Sequence, residues 1–156
     1  MHPRHGAVTV NAYEQRSLGG EQTEVVVLES SAHSLIVRVP AGKLEEVGIR
    51  TVMDQDGVNA VMAVLGEETT EEPANWSRRF KMNEQKLASG EITQVAEIVR
   101  DISRRDADRA VSPGEKKILE KARQNLLGEL ALVPGIGGID AANALVDNAI
   151  GIAAAE

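Results

Sequence analysis

The sequence predicts an α+β fold, with a small antiparallel β domain over residues 1–42 and an all-helical domain over residues 43–156. Three observations lead to it. Up to residue 42 the apolar residues fall in short β-branched runs, "GAVTVNAYEQR", "TEVVVLES" and "SLIVRVP". Past residue 42 the apolar period lengthens to that of a helix, most clearly at Ile92, Val95, Ala96, Val99 and Ile102. "SPGE" at 112–115 has Ser at a cap, Pro at the first helical position and Glu three after the cap, which is a capping box.

The elements follow in order. "SLGGEQ" and "SSAH" separate the three β runs, and Gly19-Gly20 supplies the positive φ of a two-residue hairpin. The runs form a meander that Pro40 and Gly42 close. Three strands make a weak sheet alone. Met1 lies almost inside the first run, so a strand is expected to be missing from the front. Val58, Val61, Met62 and Leu65 mark a short helix, and residues 66–74 form an acidic linker. Asn75 caps a helix from Trp76 to about Ala88, which Gly90 ends. The stripe from Ile92 to Ile102 makes the next helix. The helix after Ser112 runs through Ile118, Leu119, Leu126, Leu127 and Leu130. "VPGIGG" breaks it, and Asp140 is expected to cap a last helix of about residues 140–155.

Composition bounds the function. Hydrophobic residues make up 42% of the chain, enough for a core, but aromatics only 2%, so that core is aliphatic and rich in alanine. Cysteine is absent, which removes disulfides and thiolate metal sites and fits a reducing compartment. "MHPRHGAVTV" lacks the basic-then-apolar pattern of a signal, and no apolar run is long enough to span a bilayer. The chain reads as soluble, cytoplasmic and free of membrane.

The net charge of −7 is unevenly spread. Residues 43–77 hold two basic and eight acidic groups, whereas residues 78–123 hold twelve basic and eight acidic. Residues 124–156 hold four acids and no base. A basic block between acidic neighbours suggests an interaction surface, although a solvated helical face would carry the same charges.

No constellation for an enzyme is present. His2, His5 and His33 are the only histidines, no carboxylate cluster accompanies them, and they are read as exposed or turn residues rather than metal ligands. No nucleophile elbow occurs, and "GKLEEVGI" lacks the earlier glycine and the Ser or Thr of a phosphate loop. "PGIGGIDAANAL" is similar to the hairpin of helix-hairpin-helix DNA-binding modules. With no Lys or Arg nearby, it is read as a glycine-rich linker between helices. No cofactor is implied.

The stretch "NWSRRFKMNEQKLASGE" holds the only tryptophan, Trp76, and the only phenylalanine, Phe80. At a helix N-terminus Trp76 stands at a tip rather than in a stripe. Positions 76, 79, 80 and 83 share one face, with Arg78 and Lys81 flanking another. Trp76 either packs back on neighbouring helices or, flanked by cations, inserts into nucleic acid from the minor groove.

The run "EEPANWSRRFKMNEQKLASGEITQVAEIVRDISRRDADRAVSPGEKKILEKARQNLLGELAL" resembles the CarD/CdnL family of bacterial transcription regulators along its helical domain. "HPRHGAVTV", "GGEQTEVVVLE" and "LIVRVP" resemble the same family's polymerase-interacting domain, a Tudor-like, SH3-like β fold. The resemblance covers roughly residues 2–132. Its most specific marks are the Pro-x-His-Gly start, the Val-Arg-Val-Pro end and Asn-Trp-Ser-Arg-Arg, in the family's order. It implies a monomeric protein that binds the RNA polymerase β subunit through its β domain and associates with the nucleoid through polymerase. The helical domain would touch promoter DNA at the upstream edge of the transcription bubble and stabilise the open complex, without reading sequence. By position, the resemblance gives Arg16 and Arg38 as polymerase contacts and Trp76 as the wedge at the fork. Arg78, Lys81, Arg105 and Lys116 would line the DNA. The family's first strand precedes the Pro-x-His-Gly motif, where this chain begins.

Two other classes stay open. An adaptor would use the helices for a second protein, without direct DNA contact, and an autonomous repressor would bind promoters without polymerase.

Overall fold

The computed structural model describes residues 1–2, 5–30 and 34–152. The chain divides into two compact units, Met1–Val52 and Met53–Glu156.

The first unit is a three-stranded antiparallel sheet in the order β1 (Val8–Leu18), β2 (Glu21–Ser30), β3 (Leu35–Pro40). Leu18 pairs with Glu21 across the two-residue turn, where Gly19 and Gly20 have φ of +60° and +86°. Positive φ at both positions matches the twist of the flanking strands, as the sequence predicts. Val26, Leu28 and Val39 are the buried centre of one sheet face. Val8, Val37, Ala41, Leu44 and Ile49 pack against them. A 3-10 turn (Ala41–Lys43) and a one-turn helix α1 (Leu44–Val47) bring the last three of these back to the sheet. Val25 and Val27, on the opposite face of β2, are buried as well. The expected "SSAH" turn and its His33 lie outside the described residues.

One expectation fails here. His2 is buried, not exposed. The chain doubles back, so that His2 N donates to Gly6 O at 2.8 Å and Gly6 N to His2 O at 2.9 Å. The ring of His2 lies 4.5 Å from that of His5, which sits in a turn.

The second unit is helical: α2 (Gln55–Gly66), α3 (Trp76–Ala88), α4 (Ile92–Asp108), α5 (Pro113–Leu130) and α6 (Ile139–Ile150). Its core is aliphatic, as the composition requires. Val61 and Leu65 of α2, Ile98, Val99 and Ile102 of α4, and Leu126 and Leu130 of α5 are essentially inaccessible to solvent. Helix α4 packs on α2, α3 and α5. No described helix is long and apolar enough to cross a membrane.

The caps explain the helix starts. Asn75 Oδ1 accepts from Arg78 N at 3.1 Å, and the capping box of Ser112 and Glu115 is complete. Helix α6 differs from expectation at both ends. Gly138 takes the cap position with φ of +98°, and Asp140 lies inside the first turn. The glycine-rich linker needs a residue of positive φ as its last member, so the cap falls two residues earlier and Asp140 acts on the helix dipole instead. The helix closes at Gly151, with φ of +85°, well short of residue 155. Residues 153–156 lie outside the described set.

Much of the basic block is structural. Arg100 and Arg104, one turn apart on α4, donate to carbonyls at the end of α2. Arg100 Nη1 reaches Val64 O at 2.8 Å, and Arg104 reaches Leu65 O at 3.1 Å and Glu67 O at 2.7 Å. Arg104 Nε also donates to Ile150 O at 3.2 Å, at the end of α6. Carbonyls at a helix end lack the full set of intrahelical donors, and here Val64 O accepts from the Glu67 N–H at 3.2 Å as well as from Arg100. Arg100 Nε donates to Asp101 Oδ1 at 2.6 Å, and both side chains are at most 2% exposed. Burial alone lowers the affinity of Arg100 for its proton. The hydrogen bond and charge of Asp101, with lesser help from Glu97 and Glu67, outweigh burial and leave the pKa above its ordinary value.

Candidate nucleic-acid interface

Trp76 is the first residue of α3 and is 45% exposed. It stands outside the aliphatic core cluster. Its ring stacks on Phe80, with centroids 5.0 Å apart and planes at 21°. Its indole nitrogen donates to Ser112 Oγ at 3.1 Å. The indole leans on α5 along one edge, and nearly half of the residue is left to solvent. The helix spacing accounts for the stack, because Phe80 lies four residues on and so on the same face.

Behind the indole, four charged side chains from four segments interlock. Glu115 Oε1 accepts from Arg79 Nε at 3.0 Å and from Arg105 Nη2 at 2.5 Å. Glu72, from the acidic linker, pairs with Arg105 and lies 3.7 Å from Arg79. Arg79 Nη1 also donates to Pro73 O at 3.4 Å. Burial pushes the Glu115 carboxyl up. The hydrogen bond from Arg79, the charge of Arg105 and the Ser112 N–H pull it down further, so it sits below the usual carboxylate range and stays ionised at neutral pH. The network fastens the linker to the start of α3 and to the first turn of α5.

The predicted residues separate by availability. Arg78 and Lys81 on α3 are exposed, as are Lys116 and Lys117 in the first turn of α5. The bond from Trp76 to Ser112 brings these two helix starts together, so Trp76, Arg78 and Lys116 belong to one region. Arg105 is in a different position. Its side chain is 28% exposed, and its guanidinium is held by Glu72 and Glu115. Elsewhere in the basic block, Lys86 pairs with Glu97 at 2.8 Å, and Arg123 pairs with Asn143 and Asp147. Sequence reading missed Ser112 and Glu115 as partners of Trp76 and Arg79. The capping box was a signal that these side chains are ordered, but nothing local placed it beside α3.

Arg16 and Arg38 are brought together in the other unit. Arg16 Nε lies 3.0 Å and Arg38 Nε 3.5 Å from the same oxygen of Glu14. Arg16 follows Glu14 by two residues on β1 and shares its face. Register pairs Glu14 with Val25 and Arg38 with Val27, which sets all of them on one side of the sheet. The two arginines are 52% and 45% exposed, with Glu14 as an internal counter-charge. Among the described residues no group of three or more potential metal ligands occurs.

Comparison with known proteins places the chain in a family. The family model for the CarD C-terminal domain matches residues 60–147, from within α2 into α6. The chain is also 31% identical over 136 residues to a protein of Bacillus subtilis (strain 168) named "Putative transcription factor YdeB", covering 87% of this chain and 89% of that one. The match takes in both the sheet and the helical unit. The chain belongs to the CarD/CdnL family and is a CarD-like transcription factor.

Proposed function

We propose that this protein binds RNA polymerase through Arg16 and Arg38 and stabilises the promoter open complex by setting Trp76 into the upstream fork of the bubble. The observation that carries the reading is the 45% exposure of the chain's only tryptophan, at a helix tip beside exposed Arg78, Lys81 and Lys116. Inserting an indole into intact duplex costs a few kcal/mol of unstacking. At a fork much of that cost has been met, so the indole favours the open state. A ligand shifts an equilibrium only by such differential affinity. A preference of about 1.4 kcal/mol raises a minor open fraction about tenfold. The fork supplies the signal, so no base-edge contact is needed. Tethering to polymerase supplies effective concentration, which reconciles DNA contact with a net charge of −7.

The DNA-facing roles differ in kind. Lys81→Ala and Lys116→Ala are each expected to weaken DNA binding alike on all sequences and to flatten its salt dependence by about 0.9 in log–log slope per lost duplex phosphate contact. Trp76→Ala is expected to weaken fork binding with little change in slope, since it releases no counterion. Equal slope changes for Trp76→Ala and Lys116→Ala would mean that the roles are misassigned. Arg105, already neutralised by two carboxylates, is assigned to holding the linker and α5. Arg105→Ala should therefore lower thermal stability more than it changes the slope.

On the polymerase side, Arg38→Glu places a second carboxylate beside Glu14 and reverses the charge offered to the partner. It is expected to cost polymerase affinity by about 2–5 kcal/mol and to abolish stimulation of transcription with the DNA face intact. Full stimulation by that variant at low protein concentration would refute the tether. A second reading, an adaptor without DNA contact, is favoured only by the Trp76–Ser112 bond, which also suits a packing role.

A further inference from the structure

Ser112 is committed on every hydrogen-bonding valence. A serine hydroxyl has one proton to give and two lone pairs to receive. The proton goes to Glu115 Oε2 at 3.3 Å. One lone pair takes Glu115 N at 3.3 Å, which closes the helix cap. The other takes the indole N–H of Trp76 at 3.1 Å. Glu115 is ionised and accepts only, so the serine proton must point to it and away from the indole. Its second oxygen is fixed by Arg79 and Arg105. The orientation of one hydroxyl is thus set by two guanidinium groups.

Gly114 completes the arrangement from below. A Cβ there would stand 3.1 Å from Phe80 Cε2 and 3.7 Å from Trp76 Cζ2. A side chain there would press on Phe80 and touch Trp76 at ordinary contact distance, so the stacked rings lie close against the first turn of α5.

We infer that Ser112 and Gly114 are positioning residues for Trp76, and that the first turn of α5 is a seat fixing the indole before DNA arrives. A side chain already held in one orientation loses less freedom on binding. The expected effect on open complexes rests on the wedge reading; the seating itself does not.

The chain's single tryptophan makes the test direct, because emission excited at the red edge, beyond the absorption of Tyr13, reports Trp76 alone. Ser112→Gly keeps most of the helix cap, within a few tenths of a kcal/mol, but removes the acceptor. Its emission is expected to move to longer wavelength with lower anisotropy, and its open-complex lifetime to fall about threefold, as for a lost hydrogen bond. Ser112→Thr restores the hydroxyl and should return both readouts to wild type. Gly114→Ala should shift emission in a chain that melts normally. Unchanged emission and anisotropy in Ser112→Gly would overturn the inference. If emission shifts while Trp76→Ala leaves open-complex lifetime untouched, the seat stands and the wedge reading falls.

Discussion

Arg100→Met is expected to destabilise the helical unit by about 3–5 kcal/mol, the cost of leaving a buried charge without its partner. Methionine keeps most of the apolar stem but none of the donors. Asp101, 1% exposed, would lose its guanidinium partner. Val64 O would lose the shorter of its two donors, at 2.8 Å, and Thr70 Oγ1 its guanidinium donor at 2.7 Å. The end of α2 and the start of the acidic linker would come loose together. Urea unfolding followed by far-ultraviolet circular dichroism measures the loss, since α-helix is confined almost entirely to the second unit. A second variant, Arg100→Met with Asp101→Leu, should recover most of it, because the uncompensated carboxylate is gone. A loss below about 1 kcal/mol in the single variant would mean that Asp101 finds water or another donor once Arg100 is removed.

Trp76→Ala is expected to do the reverse: little to the fold, much to function. The indole contributes one aromatic stack and one exposed hydrogen bond, worth about 1–3 kcal/mol together. On the proposed reading polymerase binding is unchanged, because Arg16 and Arg38, the proposed contacts, belong to the other unit. On the proposed reading, open-complex lifetime falls about tenfold, equivalent to about 1.4 kcal/mol of fork preference. Competitor-challenged promoter complexes at saturating protein give the lifetime, and thermal melting gives the stability. A variant that melts many degrees lower, with an unchanged lifetime when folded, would return Trp76 to a packing role.

What was legible in the sequence is what is encoded within a few residues. Asn75 with Arg78, Ser112 with Glu115, and Gly19 with Gly20 each act over three residues or fewer, and each was readable. So was the aliphatic stripe of α4. The candidate site depended on more. The Trp76–Ser112 and Arg79–Glu115 bonds each span 36 residues. Arg100 caps a helix end 36 residues away, and Arg104 one 46 residues away. A sequence shows such arginines as charge alone, so a basic block and a set of buried helix caps look the same until the chain is folded. Arg105 illustrates this: its position matched a DNA-lining residue, and the fold surrounds it with Glu72 and Glu115. At Asp140 the sequence erred over a shorter range. Both Gly138 and Asp140 suit a helix start, and only the path of the preceding linker decides between them.

Fork preference is the quantity on which the proposed function turns. Polymerase-bound protein can be presented with two DNAs of one sequence, one paired throughout and one opened at the upstream edge of the bubble. The account predicts that the wild-type chain favours the opened DNA about tenfold, a preference of about 1.4 kcal/mol, and that Trp76→Ala binds both alike. Equal binding of both DNAs by the wild type, or a preference that survives in Trp76→Ala, would contradict it.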